Sequence, residues 1–78
     1  MIEKEIALRS ANDVQEFVNA AAVFKGNIEI SCDQTVVSAK SIMGIFSLDL
    51  SQNLLMQIYD SPDNDAADFL DRIDSFVI

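Results

Sequence analysis

The stretch Ile28-Glu29-Ile30-Ser31-Cys32-Asp33-Gln34-Thr35-Val36-Val37-Ser38-Ala39-Lys40-Ser41-Ile42-Met43-Gly44-Ile45-Phe46-Ser47-Leu48 carries two hydrophobic periods in succession. Ile28, Ile30 and Cys32 alternate with polar residues, and after Asp33-Gln34 the alternation returns through Val37 and Ala39, which predicts a β-hairpin with one buried face. Its turn lacks the Asn-Gly or Asp-Gly pair that two-residue hairpins favour. Gln34 carries a Cβ and resists positive φ, so loose pairing is expected there. The period then lengthens: Ile42, Ile45 and Phe46 have i, i+3, i+4 spacing behind Ser41, whose hydroxyl can cap a short helix. The apolar residues of 42–48 are more than one such helix can bury, so some are expected to be exposed.

The flanking elements follow from the same periods. Ile2, Ile6 and Leu8 share one parity and Glu3 and Glu5 the other, the pattern of a strand with one wet face, with Lys4 breaking the apolar parity. Asn12 and Asp13 offer capping side chains ahead of Val14, Phe17, Val18, Ala21 and Ala22, one stripe of an amphipathic helix that Gly26 stops. Leu54, Met56 and Ile58 form another alternating run. Asp60-Ser61-Pro62 marks a loop and the first turn of a last helix, with Ala66, Phe69, Leu70, Ile73, Phe76 and Val77 on its stripe. The order is β-α-β-β-short α-β-α. Helices that follow strands must cover one face of the sheet to bury their stripes, which makes an open-faced sandwich the simplest packing.

Composition narrows the function. The chain has 78 residues, half of them hydrophobic, enough for one core and one domain spanning residues 1–78. Thirteen acidic residues against five basic ones give a net charge of −8, which repels nucleic acid and anionic membrane surfaces. Glu3, Glu5, Asp13 and Glu16 interrupt any apolar run long enough for a signal peptide or a membrane span. Cys32 has no partner for an intramolecular disulfide, so the cytoplasm is the expected compartment and a buried structural thiol the expected role. There is no histidine, and no cysteine stands beside a cation, so the usual nucleophiles and neutral-pH bases are missing and an enzyme is not expected. Asp60, Asp63, Asp65 and Asp68 superficially suggest a calcium loop. The glycine and glutamate that an EF-hand requires at its sixth and twelfth positions are replaced by Asp65 and Asp71, however, so these acids read as a solvated helix face. No metal or cofactor is expected.

Lys40-Ser41-Ile42-Met43-Gly44-Ile45-Phe46-Ser47-Leu48 resembles the HPr family, the small phosphocarrier proteins of the bacterial sugar phosphotransferase system, whose regulatory serine sits in a Lys-Ser-Ile-Met-Gly context. Ile28 to Lys40 fits that family's central hairpin and Leu54 to Ile58 its last strand. The resemblance implies an α+β fold, a four-stranded antiparallel sheet covered on one face by helices. It also implies protein partners: phosphotransferase components, a serine kinase, a transcription regulator.

The family carries phosphate, derived from phosphoenolpyruvate, on a histidine in a Gly-X-His-Ala-Arg-Pro stretch before the first helix. The matching residues here are Leu8-Arg9-Ser10-Ala11-Asn12-Asp13, with Ser10 at the histidine's place, Asn12 at the arginine's and Asp13 at the proline's. A phosphoramidate cannot form on Ser10, and Asp13 would repel an incoming phosphoryl group. Ser10 and Asn12 therefore read as a degenerate carrier site that now caps a helix. The second family site remains as Ser41, implied to be a regulatory phosphorylation site, with Ile42, Met43 and Phe46 as the adjoining partner-binding patch. Two alternatives stand beside this reading. One is an active carrier that uses another acceptor such as Ser10. The other is a plain structural or ligand-sensing module in which Ser41 only caps the helix and Ile42, Met43, Ile45 and Phe46 are core.

Overall fold

The computed structural model describes residues 2–59 and 65–78. Strand β1 (Ile2–Ile6) leads into helix α1 (Ala11–Ala22), hairpin strands β2 (Asn27–Cys32) and β3 (Thr35–Ser38), short helix α2 (Ile42–Phe46), strand β4 (Leu54–Tyr59), helix α3 (Asp65–Arg72) and a 3₁₀ turn at Asp74–Phe76. The four strands form one antiparallel sheet in the order β1-β4-β2-β3. The α+β class and the element order are those expected. Asp60-Ser61-Pro62 and Asp63 lie outside the described residues.

The register explains which side chains are buried. Ile58 pairs with Ile2 on one side and Ile28 on the other, and Met56 pairs with Ile30, which in turn faces Val37 across the hairpin. These residues line the helix-covered face, where Ile6, Ile28, Ile30, Leu54, Met56 and Ile58 are buried. Glu3, Gln57, Glu29 and Ser38 form the matching row on the open face. Lys4 lies opposite Met56 and so has the parity of the covered face, yet it is exposed because β1 is an edge strand. An inward-facing charge on an edge strand discourages pairing with another sheet, a physical reason for the break in parity at Lys4.

The hairpin closes through two residues, Cys32 pairing with Thr35. Asp33 takes the positive φ, at 56°, which a short polar side chain tolerates. Gln34 is spared it, and the pairing is tight where looseness was expected. Beyond β3, Ala39 is fully buried and donates its N–H to the Ile28 carbonyl at 2.9 Å.

Four aromatic residues join α1 and the residues just beyond it to the C-terminal segment through three ring contacts. The Phe17 ring meets Phe69 at 5.8 Å and Phe76 at 6.4 Å, both edge-on, and Phe24 meets Phe69 at 5.3 Å. The last helix is shorter than its apolar stripe. It ends at Arg72, Phe76 sits in the 3₁₀ turn, and Val77 forms a bridge to Ile6 while Ile78 donates to the Glu5 carbonyl at 3.0 Å. Leaving the helix lets the final residues satisfy part of the outer edge of β1, which a continued helix would leave open.

Candidate functional site

Ser41 has extended backbone angles, and its hydroxyl accepts the Gly44 N–H at 3.1 Å, capping α2 as expected. The five-residue helix lies close to β3: a Cβ placed on Gly44 would come within 3.1 Å of both the Ser41 hydroxyl oxygen and the Val37 Cβ. Such proximity orients the turn and separates its two faces. Ile45 is fully buried and Leu48 nearly so, Ile42 is half-buried, and Met43 and Phe46 are 77% and 43% exposed. Met43 and Phe46 are three residues apart and therefore neighbours on the helix surface. The whole segment is thus not core: Ile45 belongs to the core, whereas Met43 and Phe46 stand in water beside Ser41. Lys40 directs its ammonium at the Phe24 carbonyl, 2.7 Å away, so that charge is anchored to the end of α1.

At the start of α1, Ser10 is the N-cap and its hydroxyl accepts the Asp13 N–H at 3.1 Å. Asp13 returns a bond through Oδ2 to the Arg9 N–H at 3.0 Å, a reciprocal arrangement like a capping box moved one residue outward. Asn12 does not cap. It lies inside the first turn, where its amide donates to Glu16 Oε1 at 3.2 Å, because the helix begins at least two residues earlier than the Asn12-Asp13 reading required.

Arg9 is the residue sequence reasoning missed. Its guanidinium donates to the Leu50 and Gln52 carbonyls, both at 2.9 Å, and to Asn53 Oδ1 at 2.6 Å. Asn53 passes the connection on to Glu5 Oε2 at 3.3 Å. These partners lie more than forty residues along the chain, and no local pattern signals them. The start of α1 is thereby tied to the loop that follows α2. The cation nearest Ser10 in sequence is committed to that loop.

Comparison with known proteins gives this arrangement its family. The family model described as "PTS HPr component phosphorylation site" matches residues 5–78. This chain belongs to the HPr family. Similar solved structures include HPr-C-His from Thermoanaerobacter tengcongensis, at 28% identity and TM-score 0.75, covering 96% of this chain and 89% of that one. Another is the phosphocarrier protein HPr from Bacillus anthracis str. Ames, at 29% identity and TM-score 0.73, covering 99% of this chain and 96% of that one. No match was found among curated protein sequences.

An HPr is a phosphocarrier of the phosphotransferase system, not an enzyme in its own right, and it works through protein partners. Against that background the absence of histidine from the 78 residues becomes a specific feature of this HPr-family chain. Among the described residues no helix is long and apolar enough to cross a membrane, and no group of three or more acidic or cysteine side chains could hold a metal ion. Cys32 is buried, its thiol 3.7 Å from Gln52 Oε1.

Proposed function

We propose that this HPr-family protein has left the phosphoryl relay and acts in the cytoplasm as a regulatory docking protein, with Ser41 as its switch. The observation that carries the reading is the division of α2 into a buried face and an exposed one, with Met43 and Phe46 in water next to the capping serine. Exposed apolar groups bordered by a modifiable hydroxyl suit a partner surface whose affinity a charge can change. In the modifying step, the Ser41 hydroxyl oxygen would bond to the terminal phosphorus of a nucleoside triphosphate. The nucleoside diphosphate would leave, and the hydroxyl proton would pass to a base of the kinase. The product adds about −1.5 to −2 charge beside the patch.

The start of α1 supports the loss of relay. Ser10 is engaged as a cap, Asp13 holds a carboxylate one turn away, and Arg9 is bound to the loop at 50–53. A phosphoryl group at Ser10 would meet a carboxylate and no free guanidinium from Arg9, poor electrostatics for transfer.

Two measurements test the proposal. Incubation with phosphoenolpyruvate and the general phosphotransferase enzymes should add no phosphate by mass, and stoichiometric phosphate away from Ser41 would restore the carrier reading. Pull-downs with wild type, Ser41→Asp and Phe46→Ala should capture different partner sets. Identical sets from all three would leave Ser41 as a cap and nothing more.

A further inference from the structure

A recess of about 210 Å³ lies between the end of α1 and α3, lined by Val23, Phe24, Lys25, Asp68, Phe69 and Arg72. Its apolar part is already formed. Phe24 and Phe69 are 4% and 3% exposed with ring centroids 5.3 Å apart, and Val23 at the rim is 65% exposed.

The charges around this recess are available. Asp68 and Arg72 stand four residues apart on α3, a spacing at which such side chains commonly pair. Among the described residues, however, neither they nor Lys25 form an ion pair. The helix-surface pair that the spacing predicts is absent. Two of the chain's five basic residues, in a protein of net charge −8, therefore border one small cavity. The end of α1, whose carbonyls would repel an anion, is offset by the Lys40 ammonium on the Phe24 carbonyl.

We propose that this recess binds a free α-amino acid with an apolar side chain. Its carboxylate would lie toward Lys25 and Arg72, its ammonium toward Asp68, and its side chain against Val23, with Phe24 and Phe69 beneath. A simple carboxylic acid would face Asp68 without compensation, and a simple amine would face two cations. Only the zwitterion uses all three of these charges together with the apolar rim at Val23. The size agrees: the recess is smaller than the roughly 300 Å³ at which pockets for drug-sized ligands begin and larger than the ~150 Å³ cavity that holds benzene. This inference does not depend on the role of Ser41.

The test is a titration of the ¹⁵N-labelled protein with L-leucine. Amides of residues 23–25 and 68–72 should shift and saturate by roughly 10 mM. The deaminated analogue 4-methylpentanoate and the decarboxylated analogue 3-methylbutylamine should bind at least about tenfold more weakly. Arg72→Gln should weaken leucine about tenfold, and Asp68→Asn should abolish the preference for leucine over 4-methylpentanoate. Both sites are exposed, and unchanged circular dichroism would confirm that the variants fold. The proposal is overturned by the absence of saturable shifts with leucine, by 4-methylpentanoate binding as tightly as leucine, or by wild-type behaviour of both folded variants.

Discussion

Arg9 Nη2 lies 2.6 Å from Asn53 Oδ1 across 44 residues of sequence, while Nη1 of the same guanidinium donates to two carbonyls of the adjoining loop. The planar, multiply donating head of arginine suits this arrangement, and the single ammonium of lysine does not reproduce it. Arg9→Met should therefore lower stability by about 1–2 kcal/mol, the lower part of the range for hydrogen bonds to charged groups because the site is exposed. Arg9→Lys should recover only part of that loss. Urea unfolding of the three proteins checks both statements, and equal midpoints would show that the clamp contributes nothing.

The Ser41 cap allows stability to be separated from signalling. Replacing Ser41 by Ala removes the acceptor for the Gly44 N–H and should cost about 1 kcal/mol, the usual size of an N-cap loss. Aspartate caps as well as serine does, so Ser41→Asp should unfold near the wild-type temperature. A change in partner binding in Ser41→Asp would then reflect charge and not damage to the fold. Thermal unfolding followed by circular dichroism measures the pair.

The two faces of α2 predict opposite sensitivities. Ile45 is fully buried, and Ile45→Ala should destabilise by about 2–5 kcal/mol through lost burial and the cavity left behind. Met43→Ala removes a group that stands largely in water and should change stability by no more than about 0.5–1 kcal/mol, and Phe46→Ala, at a ring that is 43% exposed, should cost clearly less than Ile45→Ala. If Phe46→Ala were as damaging as Ile45→Ala in denaturant unfolding, the patch would be core and the docking proposal would fail.

Asp49 provides a pH-dependent contribution. Its carboxylate accepts the Ser51 hydroxyl at 2.6 Å, the Ser51 N–H at 3.0 Å and the Gln52 amide at 3.1 Å. The Ser51 hydroxyl, the Ser51 N–H and the Gln52 amide together hold its pKa below the usual carboxylate range. A depressed value in the folded state means that the unfolded chain binds the proton first. The stabilisation is present above the ordinary aspartate value of about 3.9 and fades as pH falls below it. Between about pH 4 and pH 2 the wild type should lose stability more steeply than Asp49→Asn. Identical slopes in acid unfolding, or a carboxyl carbon titrating at the ordinary value by NMR, would refute this.

Much of this protein was legible in one dimension. The alternation of Ile28, Ile30 and Cys32, of Leu54, Met56 and Ile58, and the stripe through Val14 and Phe17 determined the strands, the first helix and their buried sides. A side chain's face follows from backbone period alone. The cap at Ser41 was equally local, because a hydroxyl three residues before a free N–H needs nothing from elsewhere in the chain. The missing histidine could be counted directly.

Other features arise only when distant segments meet. The last apolar stripe runs on to Val77, yet the helix stops at Arg72 because Val77 and Ile78 find partners at Ile6 and Glu5 on the edge of β1. Asn12 looked as good a cap as Ser10 until the helix start fixed which side chain faced the free N–H groups. Ile45 and Met43 are both apolar and nearly adjacent, and only the approach of α2 to β3 and α1 decides that one is core and the other stands in water. Arg9 has no local partner pattern at all. Period and capping are set by neighbours in the chain, whereas burial of one turn and the reach of one guanidinium depend on which segments the fold brings together.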